Sequence, residues 1–411
     1  LSETREAIDW LKNSEIAQVL RLAALLHDVG HAPFSHSLER FMPNWRELEE
    51  NLASLALPAY LTHAINKKIA RQKTKHPSAI DGRIRHEIYT LMIVARLFSG
   101  DEKNLSQEMG QDICAVLDLD VEPCTSGAVS KSRLQTLLHE VVSGEIDVDR
   151  MDYLLRDSRE CGVVYGLFDA GRILDSACFY KDPITSNYHL AIRRSGIAAF
   201  EDYLRARWSM YQQVYFHKTA TACEAMLETA HKALNRFSLP LRLDEYLPLD
   251  DSSFFEFARK KSTDAKGRGV QLLQDLLYGR RLWKRVYEES VPVSQIATSP
   301  SLCPATVNLL RAQGIPSEML ESSTSLTRFS PKGRDNHSRN KLKVVIKDVH
   351  GLRFLEPIEQ HSRLVNRLDE ELVIRRIFVA REDDAGKLID AKEVQTRISS
   401  EVMTPRPHDS H

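Results

Sequence analysis

Apolar positions return every three or four residues through much of the chain, the spacing of one buried helix face. Ile16, Val19, Leu20, Ala23 and Leu26 mark the first such stripe, with a break at Asn13-Ser14 and Ser14 as its N-cap. Residues 84–97, 105–119 and 132–142 predict further helices, and residues 41–82, interrupted by Pro43, Pro58 and Pro77, are less regular. Between 144 and 157, Ile146, Val148, Met151, Leu154 and Leu155 point inward, while Asp149, Tyr153 and Asp157 at i, i+4 and i+8 share another face. Residues 197–234 predict one long helix and 269–290 another.

Beyond about residue 235 the pattern changes. Residues 241–261 predict a strand, a turn and a helix, and 322–340, rich in Ser, Lys, Arg and Asn, an exposed loop. The β-branched runs at 343–346 and 373–380 predict two strands that pair. The tail after Val402 carries Pro405 and Pro407 and predicts disorder. The fold expected is mainly α, a helical bundle with a smaller α+β carboxy-terminal lobe. The division expected is 1–235 as catalytic domain, 236–402 as lobe and 403–411 as tail.

Composition narrows the setting. A formal net charge of −1 over 411 residues gives no bulk attraction to nucleic acid or membrane. The six cysteines contain no Cys-x-x-Cys pair, which fits reduced thiols better than a disulfide scaffold or a zinc site. No apolar run approaches the roughly 18 residues of a membrane span and no signal peptide is visible, so a cytoplasmic chain is expected. The basic run Lys67, Lys68, Arg71, Lys73 and Lys75 reads as a solvated helix face in preference to a nucleotide contact.

The stretch 21–39 carries the chemistry: His27, Asp28, His31, His36 and Glu39 fall along one helix and the turn after it. His27 and Asp28 arrive at the buried end of the first stripe, where burial is costly unless something pairs with them. A divalent metal would do so, because a His nitrogen and an Asp oxygen that diverge by about 100° can bracket one ion. Gly30 loosens the helix end, and Pro33 starts the next helix with His36 and Glu39 three residues apart. A lone His-Asp pair is most often a hydrogen-bonded surface, but the full string is more specific. On the helix at 197–234, Arg207, Tyr211 and Tyr215 recur at four-residue intervals. Arg207 can grip a phosphate through two N–H groups and Tyr215 can pack on a sugar or base, while Tyr211 is assigned to packing.

The string His-Asp-Val-Gly-His-Ala-Pro-Phe-Ser-His at 27–36 resembles the signature of HD-domain phosphohydrolases, and within them the dNTP triphosphohydrolases of the bacterial dGTPase and sterile-alpha-motif/HD type. The His86-Glu87 pair opening an apolar helix is similar to the family's second histidine motif, residues 144–157 to its distal Asp motif, and Tyr215 to Lys218 to its Tyr-x-His-Lys motif. The resemblance implies that His27, Asp28 and Asp149 hold a divalent metal, with Mn, Fe, Mg, Co, Ni and Zn all open. It implies that His31, Glu39 and His86 form a coupled acid/base and water-positioning group of near-neutral pKa. His36, Arg150, Tyr153, Asp157, Arg207 and Tyr215 are then the substrate contacts. The implied reaction is release of a deoxynucleoside and triphosphate from a dNTP, in a homo-oligomer with an activating nucleotide for which Arg193-Arg194 or Arg280–Arg285 offer charge.

The family's further histidine, on an earlier helix in an Arg-Phe-x-His-Ser type motif, has no match after Leu1. A sequence truncated at its amino end and a weakened metal affinity are therefore expected. Two alternatives stay open: an HD phosphohydrolase acting on single-stranded nucleic acid or a nucleoside monophosphate, and a metal-free nucleotide- or nucleic-acid-binding module.

Overall fold

The computed structural model describes residues 8–402, apart from 77, 101–105, 262–266, 293–294, 297–300, 325–341, 348–349, 351–352 and 369–371. The tail expected after 402 and most of the loop expected at 322–340 lie outside the described residues. The chain is mainly helical, with seven strands among the described residues. No described helix is long and apolar enough to cross a membrane.

The chain forms two units that interleave in sequence, in contrast to a single boundary at 235. The first holds residues 1–206, 238–254 and 339–363; the second holds 207–237, 255–338 and 364–411. The first unit carries a sheet of which the sequence pattern predicts only the strand at 343–346. Strands β1 (Ala177–Lys181) and β2 (Tyr188–Arg193) form an antiparallel hairpin, and β5 (Lys343–Lys347) joins β2 in parallel before pairing with β6 (Arg353–Pro357). Parallel pairing needs a long crossover, here about 150 residues, which no local pattern announces.

The helices of the first unit follow their apolar stripes. Ser14–Leu26 buries Ile16, Val19 and Ala23 against Gln107–Leu117 and Gln135–Ser143. Its N-cap is Asn13, whose side chain accepts from the Glu15 N–H, one residue earlier than the Ser14 expected. His86–Leu97 is buried without a break from Ile88 to Ala95. The basic run on Ala59–Lys75 is paired, not merely solvated. Lys68 meets Asp118 at 2.8 Å and Asp120 at 3.1 Å, Arg71 donates to Asp120 at 2.8 Å, and Lys73 meets Glu49 at 2.5 Å.

In the second unit, β7 (Leu372–Val379) runs between β3 (Lys284–Pro292) and β4 (Ser317–Thr324), antiparallel to both. The runs at 343–346 and 373–380 are thus both strands, but in different sheets. Successive β7 side chains alternate between two cores. Ile377 and Val379 pack with Val286, Cys303, Val307 and Leu310; Phe378 packs with Leu320, Ala222 and Met226. Arg375 and Arg376 are buried in the same strand. Their register sets Arg375 between Glu289 and Glu321 and Arg376 opposite Glu288, so the charges meet across the sheet.

Three further expectations change. The helix predicted over 269–290 ends at Leu277, and the chain re-enters as β3. The strand predicted at 241 is a short helix, Leu243–Tyr246. The long helix at 197–234 splits into Ile197–Met210 and Lys218–Ala233 around a π turn, where the Phe216 N–H donates to the Tyr211 carbonyl at 2.8 Å. Four-residue spacing therefore does not carry one face from Arg207 through Tyr215.

Asp120 offers a test of the packing. Its side chain is 4% exposed, and burial, which opposes ionisation, is outweighed by Arg71 and Lys68, so its pKa is lowered from 3.8 to about 2. A depressed folded-state value stabilises above the ordinary value and loses that contribution as pH falls through about 2. Asp120→Ala should cost about 1–3 kcal/mol at pH 7, and the difference from wild type in urea melts should shrink steadily from pH 4 toward pH 2.

Candidate metal centre and acid–base cluster

The site is built in the first unit where the helix Ser14–Leu26 ends and turns back across the start of His86–Leu97. Gly30 makes the crossing possible by close approach, not by loosening the helix. A Cβ there would lie 2.2 Å from the Thr90 nitrogen and 2.4 Å from the His86 carbonyl oxygen. Thr90 then ties the turn, accepting from the Gly30 N–H at 3.0 Å and donating to the His27 carbonyl at 3.0 Å. Sequence reasoning passed over Thr90; its signal is a polar residue inside the apolar run 88–95.

At the turn, His27 Nδ1 donates to the Ala24 carbonyl at 2.8 Å, which leaves Nε2 as the other ring nitrogen. That Nε2 is buried and makes no hydrogen bond. It faces Asp149 Oδ1 at 3.3 Å and Asp28 Oδ1 at 3.4 Å. Asp149 comes from the first turn of Val148–Glu160, a helix started by Asp147, whose carboxylate accepts the Arg150 N–H at 2.7 Å. Two carboxylates around a buried imidazole nitrogen call for a positive charge, either a proton or a cation. The neutral-His and carboxylate donor set suits a divalent ion, and the Ala24 carbonyl fixes the ring as outer partners of metal-binding histidines do.

Asp28 joins this centre to a second group. Its Oδ2 lies 3.5 Å from His31 Nε2 and its Oδ1 3.6 Å from His86 Nε2. The His31 and His86 rings stack at 3.7 Å with 18° between planes, and His36 meets His31 edge to face at 4.6 Å. Glu39 Oε1 holds His86 Nδ1 at 2.8 Å and His36 Nδ1 at 3.0 Å. The segment Ser35–Phe41 is a 3-10 helix, so residues three apart eclipse and His36 falls over Glu39.

Charge follows geometry. Asp149, the largest influence, raises His27 from 6.5 to about 9 against burial. Burial pulls His86 down, but Asp28 and Glu39 outweigh it and raise its pKa to about 9, above the near-neutral value expected. Burial likewise opposes ionisation of Asp28 and Glu39, yet the histidines around them hold both well below the usual carboxylate range.

The other predicted residues are placed as follows. Arg150 is half-buried, with Nη1 donating to the Gly144 carbonyl at 2.8 Å and lying 3.3 Å from Asp147. Tyr153 and Asp157 are half-buried on the same helix as Asp149, and Asp157 lies 3.8 Å from Arg156. Arg207 and Tyr215 belong to the second unit. There Arg207 is buried, its guanidinium 5.7 Å from the Tyr211 ring centre, and Tyr211 meets Tyr215 edge to face at 4.9 Å. Of the two basic clusters, Arg193 donates to the Asp175 carbonyl, Arg281 pairs with Glu382, and Arg285 pairs with Glu288.

Residues 7–156 match the HD domain family, and residues 168–300 match the HD associated region. The chain is 28% identical over 243 residues to the uncharacterized protein MJ1154 of Methanocaldococcus jannaschii, covering 59% of this chain and 39% of that protein. It is 24% identical over 307 residues to human deoxynucleoside triphosphate triphosphohydrolase SAMHD1, covering 67% of this chain and 43% of the human protein. The chain thus spans about two fifths of the length of these relatives. In fold it is similar to a crystal structure of a phosphohydrolase from Bacteroides thetaiotaomicron, with TM-score 0.55, 21% identity, and 92% and 85% of the two chains covered.

The site's packing and charge set three expectations. Gly30→Ala forces the turn off Thr90 and should cost about 1–3 kcal/mol or more, seen as a lowered melting temperature together with lost metal uptake. In chelator-treated protein His27 and His86 stabilise fully below 6.5, and that contribution is lost as pH rises through about 9. Melting temperature should therefore fall across this window. Metal added at pH 7.5 must displace the His27 proton, so uptake should acidify a weakly buffered solution, and less so for Asp149→Ala.

Proposed function

We propose that this HD-domain phosphohydrolase hydrolyses deoxynucleoside triphosphates to deoxynucleoside and triphosphate, with one divalent cation held by His27, Asp28 and Asp149. The observation that carries the reading is the buried, unsatisfied Nε2 of His27 between two carboxylates, one of which is shared with the stacked His31 and His86. A phosphoester is the substrate class suited to a cationic centre beside proton donors. The named activity of SAMHD1, a relative over two thirds of this chain, supports a dNTP.

A cation held by His27, Asp28 and Asp149 would polarise a phosphoryl oxygen and lower the pKa of a water so that hydroxide is available as nucleophile. The remaining work falls to the chain. His86, held at Nδ1 by Glu39, donates a proton from Nε2 to the departing oxygen. His31, stacked on it, orients the attacking water through its own Nε2. His36 is exposed enough to reach the phosphate chain, and its bond to Glu39 keeps it on that side. Arg150 braces the helix start that presents Asp149, its guanidinium being committed to Gly144 and Asp147. Tyr153 and Asp157, one and two turns on along that helix, receive the deoxyribose.

The test is incubation of the protein with each dNTP, singly and in mixtures, plus Mn or Mg, with products separated by ion exchange. Deoxynucleoside and intact triphosphate should appear in equal amounts and vanish in Asp149→Ala. His86→Ala should lower kcat by about 10²–10³. Faster turnover in mixtures would support an activating nucleotide. Hydrolysis of single-stranded DNA or a nucleoside monophosphate with every dNTP untouched would replace this reading with the other phosphoester.

A further inference from the structure

His31 and His36 are separated by a strained turn. Phe34 and Ser35 both sit in the left-handed region, at φ 56° and 54°. Neither residue type favours that conformation, so two in succession persist only where surrounding structure imposes it. Their conformation matters, because Ser35 Oγ lies 3.2 Å from His31 Nδ1 and the next residue is His36.

The imposing structure is a single segment, residues 238–254, which belongs to the first unit although the chain on either side of it belongs to the second. It grips the turn at four points. Asp251 Oδ1 accepts the Phe34 N–H at 2.8 Å. The Tyr246 hydroxyl donates to the Gly30 carbonyl at 2.8 Å, and its ring stacks on Tyr89 at 4.0 Å. The Leu239 N–H donates to the Phe41 carbonyl at 2.7 Å. The ring of Phe254, fully buried, meets Phe34 and Phe41 edge to face at 6.0 and 5.6 Å. Asp251 is itself held by a closed loop, in which Asp250 and Ser253 exchange bonds of 2.7 and 2.8 Å.

We propose that Asp251 is a positioning residue, whose grip on the Phe34 N–H holds the strained turn and so aims His31 and His36 into the site. The proposal rests on the phosphohydrolase reading for the role of those histidines, but not for the latch itself. Nothing in the local sequence around 27–39 supplies an acceptor for that N–H; it comes from more than 200 residues away. Released, Phe34 and Ser35 relax to ordinary backbone values and the histidine rings turn away from Asp28 and Glu39.

The experiment compares Asp251→Ala with Asp251→Asn, which keeps an oxygen acceptor at the same place. Hydrogen exchange at the Phe34 amide, His31 and His36 ring resonances, metal content, and kcat and KM are read on both. In Asp251→Ala the Phe34 amide should lose protection, both rings should shift, and kcat should fall about tenfold or more with KM and metal content within twofold. Asp251→Asn should restore kcat to within threefold. An unchanged kcat in Asp251→Ala, or equal losses in the two variants, would overturn the proposal. Should the wild type hydrolyse no phosphoester, the functional reading fails alone. The latch is then judged by exchange and ring resonances, and their being unchanged in Asp251→Ala overturns it.

Discussion

The contact on which the site depends is the crossing of two backbones at Gly30. The turn after the Ser14–Leu26 helix comes so near the start of His86–Leu97 that no side chain fits between them, and Thr90 closes the gap with two hydrogen bonds. Everything chemical follows from that approach. It sets His86 beside Asp28, stacks it on His31, and lets one carboxylate face three imidazole nitrogens. A wider crossing would leave the same residues in the sequence and separate His27 and Asp28 from His86.

The site also shows why these charges are tolerated. Asp28, Glu39, His27 and His86 are each partly removed from water, and none is affordable alone. They are arranged so that carboxylates and imidazoles alternate, and each holds its neighbour in the charged form. The alternation leaves one position short: His27 Nε2 has two carboxylates before it and no hydrogen bond. Asp120 gives the contrast within the same unit. It is at least as buried, but Lys68 and Arg71 satisfy it fully and nothing is left for a ligand to complete.

What the sequence revealed was what repeats or clusters locally. The helix stripes, the 27–39 string, the i, i+3 pairing of His36 with Glu39 and the helix bearing Asp149 could all be read from spacing. What it concealed was long-range. The β2–β5 pairing joins strands 150 residues apart, and the run at 343–346 has the same β-branched composition as that at 373–380 although the two enter different sheets. Composition reports strand preference and says nothing of partner. The π turn at 211–215 was hidden for another reason: its residues are ordinary helix formers, and the extra residue per turn leaves no mark in their order. Gly30 was legible as a glycine and misread in cause, since flexibility and close approach demand the same residue.

The placement of Tyr246 and Asp251 extends that argument from fold to chemistry. A motif of ten residues supplies the side chains of the cluster, yet its own backbone cannot hold their geometry, because two of its residues are strained and one glycine is pressed against another helix. Strain of this kind has to be sustained by contacts elsewhere in the molecule. Here they come from one short segment, 238–254, whose hydrogen bonds fall on main-chain groups of Gly30, Phe34 and Phe41, so that the grip is independent of the side chains it positions. Those contacts make the 27–36 string and a segment 200 residues downstream one structural unit, and a substitution in either is a substitution in the site.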